Sequence, residues 1–203
     1  MAHAAFRDAG VQAEIRVFDW HRPFGDLDNL MNIKKNRRRA GEVAERIASY
    51  RADHPAAPID LVGYSGGGGL VVMIAEALPA GVRLRNLVLV QAAISPGYDL
   101  TATLEHVGGK LVNFYCPSDW LVLGLGTSVF GTMDRKKVAS AGKVRFDLEC
   151  AVPDPSMRDK IEQCGWNWGM FKKMHLGGHI DAFGYCWNKA YVAPYLISER
   201  MAD

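Results

Sequence analysis

Short runs that are apolar almost throughout, 59–63, 84–93 and 110–116, alternate along this chain with segments of helical period. A strand that is apolar on both faces has to be covered on both faces. Strands joined through helices therefore predict an α/β fold, a mostly parallel sheet with helices on both sides. Between the runs, Ala40, Val43, Ala44, Ile47 and Ala48 fall at the spacing of one buried helical stripe, which predicts a helix over 36–50. Further helices are expected at 66–78, 101–107 and 184–196, with a short one ending at Gly10. Two more strands are expected, at 11–18 and at 143–150. No shift in composition and no repeat divides the 203 residues, so one domain is the economical reading.

Composition removes several classes of function. With 49% hydrophobic residues the chain can bury a core and is not disordered. The 24 Lys and Arg against 22 Asp and Glu leave a net charge of +2, too small a field to point to nucleic acid. The basic run Lys34-Lys35-Asn36-Arg37-Arg38-Arg39 has no interleaved aromatic platform and reads as a solvated helix start. No apolar stretch approaches the roughly 20 residues of a membrane span. The first ten residues carry His3, Arg7 and Asp8 and lack the apolar core of a signal peptide. Cys116, Cys150, Cys164 and Cys186 include no metal-type pair and are too few for a disulfide framework. A cytoplasmic protein with reduced thiols is expected. A Cys164–Cys186 disulfide would favour secretion and a missing leader instead.

Parallel sheets carry their chemistry beyond the carboxyl ends of the strands. Gly63-Tyr64-Ser65-Gly66-Gly67 stands at such an end, after the run 59–63 and at the start of the helix 66–78. This is G-x-S-x-G in the strand–turn–helix context that raises a serine above a sheet. The glycines allow strand and helix to crowd together, and the helix start aims N–H groups at a developing oxyanion. A phosphate loop would need Lys-Ser or Lys-Thr after the last glycine, and Leu70-Val71 follows instead. A dinucleotide fingerprint fails for want of its third glycine. No cofactor and no metal site is expected.

A serine needs a base, and the base an orienting acid. Asp119, after the run 110–116, is the leading acid, with Asp99 its rival. Asp181 reads as a solvent-facing or capping residue. His179, after Gly177-Gly178, is the leading base, and His175 the alternative. Two segments are placed to wall a pocket: 120–130, beginning with Trp120, and 164–171, with Trp166 and Trp168. The two tryptophans could equally pack the loop onto the core.

These residues together resemble the α/β-hydrolase superfamily over about 11–196, on the elbow around Ser65, the strand end at Asp119 and the Gly177-Gly178-His179 loop. The resemblance implies Ser65 as nucleophile, His179 as general base and Asp119 as its partner. It implies the Gly66 N–H as an oxyanion donor and Tyr64, Trp120, Trp166 and Trp168 as substrate contacts. The implied activity is cleavage of a small-molecule carboxylic ester through an acyl-enzyme. A non-catalytic binding protein of the same fold and an acyltransferase with the same triad are the alternatives. The superfamily places a strand and loop, which supply a second oxyanion donor, before the helix that ends here at Gly10. The chain therefore reads as N-terminally shortened. Loss of one such donor costs about 10²–10³ in rate.

Overall fold

The computed structural model describes residues 1–18, 32–119 and 132–197. Its centre is a four-stranded, all-parallel sheet of β1 (Leu61–Tyr64), β2 (Leu87–Val90), β3 (Leu111–Tyr115) and β4 (Ile161–Gly165), in the order β1-β2-β3-β4. The register pairs Leu61 with Leu87, Leu87 with Leu111 and Leu111 with Ile161. Each strand therefore lies beside the next one in the chain, and all four carboxyl ends form one rim.

Side chains alternate across a strand, and in the central strands β2 and β3 both faces are buried. Leu87, Leu89 and Leu111 face a core built with α2 (Ile33–Asp53) and α3 (Gly66–Glu76). Val88, Val90, Val112 and Phe114 face a second core with Phe6 of α1 (Ala2–Asp8), Trp187 and Val192. Helices thus cover both sides of the sheet, as the apolar runs require. The Asn32 side chain caps α2 by accepting from Lys35 N at 3.1 Å, and Arg37 and Arg38 of the basic run are exposed on that helix. Among the described residues no helix is long and apolar enough to cross a membrane. All four cysteines are free thiols, so no Cys164–Cys186 bridge forms.

Three expectations fail. Residues 11–18 join no sheet. Glu14 and Arg16 pair with each other in solvent, and Val17 is 83% exposed. Residues 143–150 are not a strand but lie largely in two helical turns, α4 (Ala141–Val144) and α5 (Leu148–Ala151). The reversal between them is at Arg145, with φ +74°. The apolar alternation there reflects one anchor, Phe146. Its N–H donates to Gln163 Oε1 at 2.6 Å, and its carbonyl accepts from Gln163 Nε2 at 3.1 Å. A side-chain amide takes the place of a neighbouring strand. The fourth strand is β4 instead, whose Glu162 and Gln163 hid it from a search for apolar runs. The helix expected over 184–196 is broken into a turn at Tyr185–Trp187, a π-turn at Asn188–Val192 and a 3₁₀ turn at Ala193–Tyr195. Pro194 has no N–H to continue an α-helical ladder.

Candidate active site

Ser65 joins β1 to α3 at φ +53° and ψ −122°, a conformation an L-residue rarely adopts. Its N–H donates to Val90 O at 2.9 Å, and its carbonyl accepts from Ala93 N at 2.9 Å and Gly68 N at 3.0 Å. The end of β2 thereby holds the strained residue on both sides. The glycines around it are there for close approach. A Cβ on Gly63 would lie 2.4 Å from Gly67 O, and one on Gly68 would lie 2.5 Å from Ala92 Cβ. The helix can then start directly against the strand ends.

The Ser65 hydroxyl lies 2.9 Å from His179 Nε2, and His179 Nδ1 lies 2.5 Å from Asp119 Oδ2. A carboxylate accepts only, so Nδ1 carries the imidazole proton. Nε2 of the neutral ring is then the acceptor for the serine O–H. The Asp119 side chain is 1% exposed, whereas Ser65 is half-buried. Gly66 is the first residue of α3, so its N–H has no acceptor within the helix and stands beside the serine with the positive end of the helix dipole.

The rivals sit elsewhere. Asp99 caps the turn at Thr101, accepting from its N–H at 2.9 Å, and hydrogen bonding from the Thr101 side chain, with this backbone bond second, holds its carboxyl below the usual range. It lines an open cleft of about 350 Å³ with Arg37, Glu76, Tyr98 and Ala102. Glu76 ends α3 and Ser65 precedes it, so the cleft lies about 16 Å along the helix from the serine. His175 is buried against the Trp187 ring and accepts from Gly177 N through Nδ1 at 3.3 Å. Burial pushes its pKa down, which keeps it neutral.

The residues expected to touch substrate divide. The Tyr64 hydroxyl donates to the backbone carbonyl of His179, and its ring packs 3.8 Å from that of Phe183. Burial pushes its phenol pKa up, so it is a neutral donor. The Trp166 Nε1–H donates to His175 O at 2.8 Å. Its ring meets Trp168, which is 71% exposed, at a centroid distance of 5.5 Å. Trp120 and the segment 121–130 lie outside the described residues.

Three polar side chains surround the His179 loop: Asp181, expected to face solvent or cap, and Cys116 and Gln91, to which sequence reasoning gave no role here. Asp181 Oδ2 accepts from Leu176 N at 3.1 Å and Gly178 N at 2.9 Å. Cys116 Sγ donates to Gly177 O at 3.2 Å. Gln91, 1% exposed and at φ +47°, brings Nε2 to 3.5 Å from Gly178 O. Only the position of each one just past a strand end, or beside the glycine pair, could have drawn attention to it. Among the described residues no group of three or more His, Cys, Asp or Glu side chains could hold a metal ion. The chain matches no protein-family model, and no curated protein is significantly similar to it.

Proposed function

We propose that the chain is a serine hydrolase of the α/β-hydrolase type that cleaves carboxylic esters through an acyl-enzyme on Ser65. One observation carries the reading: a serine at φ +53° between strand and helix, with Oγ 2.9 Å from His179 Nε2 and Asp119 2.5 Å behind the ring. Hydrogen bonding of serine to base and base to acid is the arrangement that activates a hydroxyl.

The steps follow from the donors and acceptors. Ser65 Oγ attacks the ester carbonyl as its proton passes to His179 Nε2. The carbonyl oxygen becomes an oxyanion beside the Gly66 N–H and the start of α3. The imidazolium is stabilised by the Asp119 carboxylate, which stays ionised. His179 then gives the proton to the departing alkoxide, and an alcohol leaves. Water, deprotonated by the same ring, releases the acid and restores Ser65.

Hydrolysis of p-nitrophenyl esters of graded acyl length tests the reading, with Ser65→Ala as the control. Release of nitrophenol by the wild type and not by the variant supports it. Ester binding without turnover by either protein supports the binding-protein alternative. Transfer of the acyl group to an added alcohol in preference to water supports the acyltransferase.

A further inference from the structure

The loop that carries His179 has no regular structure, yet its polar backbone groups are met by side chains. Four of its carbonyls accept from side chains at the ends of four different strands, in order. Trp166, just past β4, donates to His175 O at 2.8 Å. Cys116, just past β3, donates to Gly177 O at 3.2 Å. Gln91, just past β2, makes the longest contact, 3.5 Å to Gly178 O. Tyr64, the last residue of β1, donates to His179 O. On the N–H side, Asp181 receives Leu176 and Gly178, and His175 Nδ1 receives Gly177.

The loop therefore runs across the rim, meeting one strand end after another. Gly177, at φ +99°, makes the bend that puts the following carbonyls in register, and a Cβ there would lie 3.2 Å from Ser118 Oγ.

We propose that these four side chains are a positioning clamp for His179, and that Tyr64 is its decisive member. This rests on the reading of Ser65, His179 and Asp119 as a hydrolytic triad. Tyr64 precedes the nucleophile directly, and its hydroxyl holds the backbone of the base. One residue therefore ties the two reacting side chains to the same strand end. The Tyr64 ring also lies 4.9 Å from the imidazole, centroid to centroid, which limits the ring's sideways travel. Tyr64 acts through His179, by its hydroxyl on the backbone carbonyl and its ring beside the imidazole. A catalytic geometry loosened by a fraction of an ångström loses rate while ground-state binding stays.

The test compares wild type with Tyr64→Phe, which keeps the ring and removes the donor. Three readings are taken: the rate of fluorophosphonate labelling, kcat and KM for a p-nitrophenyl ester, and the low-field proton NMR signal of His179 Nδ1–H. Loss of one positioning hydrogen bond should lower labelling and kcat together by about 3- to 10-fold with KM unchanged. The Nδ1–H signal should broaden through faster exchange with water. Unchanged labelling, kcat and NMR signal in Tyr64→Phe would overturn the clamp and leave the hydrolase reading standing. A rise in KM alone would also overturn it, by returning Tyr64 to substrate contact. If the wild type neither labels nor hydrolyses, the hydrolase reading fails. The clamp is then judged by the NMR signal alone, broadened in support or unchanged against. Should Tyr64→Phe not fold, Gln91→Met removes the neighbouring donor and is read in the same three ways.

Discussion

Asp119 meets His179 through Nδ1 at 2.5 Å while its own side chain is all but sealed from solvent. Among the described residues the carboxylate's side-chain partner is the ring it faces, and it fixes which nitrogen carries the proton. Asp119→Asn keeps the shape but lets the ring take the other tautomer, with Nε2 protonated and unable to accept from Ser65. Activity should fall by about 10⁴. Asp99→Asn, at the far end of α3, should leave kcat within about twofold of wild type. Steady-state kinetics on the two variants separate the acids. Equal losses would contradict the assignment.

The strain at Ser65 has a measurable consequence. Its φ of +53° suits glycine far better than any L-residue. Ser65→Gly should be more stable than Ser65→Ala by about 1–2 kcal/mol, though both lack the hydroxyl. Chemical denaturation of the two inactive variants measures the difference. A Ser65→Ala protein as stable as Ser65→Gly would show that the turn carries no strain.

Two glycine-to-alanine changes should act in opposite directions. Gly41 lies inside α2, and a Cβ there meets nothing within 4 Å. Gly41→Ala should stabilise by about 0.5–1 kcal/mol, since glycine is a poor helix former. At Gly68 the added methyl would press on the Cβ and Cα of Ala92, the latter at 2.9 Å, and should cost about 1–3 kcal/mol. Thermal melts of the pair test the packing of α3 against the rim.

His175 sets a pH dependence of stability. Burial pushes its folded-state pKa below the ordinary value of about 6.5. Above that value the ring is neutral in both states, and no stability depends on it. As pH falls below about 6.5 the unfolded chain takes up a proton that the folded chain refuses, so stability is lost. Between pH 7 and 5 the melting temperature of wild type should fall more steeply than that of His175→Gln. Parallel slopes would contradict a buried neutral ring.

Strong local signals were legible in the sequence, and signals made by distant partners were not. β2 and β3 were readable because both their faces are buried, and a doubly covered strand has to be apolar at nearly every position. β1, an edge among the described strands with Val62 exposed, was readable from its apolar residues and the G-x-S-x-G that closes it. The positions of Ser65, Asp119 and His179 followed from strand ends and glycines. β4 was hidden because it pairs with β3 alone among the described strands and is only half-buried, so Glu162 and Gln163 are tolerated there. Its Gln163 in turn disguised the segment around Phe146, satisfying a backbone that reads as a strand. The strand expected at 11–18 failed because a run of alternating residues needs a partner edge, and Glu14 and Arg16 found each other. The rim donors Gln91 and Cys116 were illegible because their function depends on a loop more than 60 residues away.

The most direct measurement is intact mass after exposure to a fluorophosphonate, with the modified residue located by peptide mapping. The account predicts one adduct per chain, on Ser65, lost in Ser65→Ala and strongly slowed in His179→Ala and Asp119→Asn. A wild-type chain that takes up no adduct, or takes it up equally well with His179 removed, would contradict it.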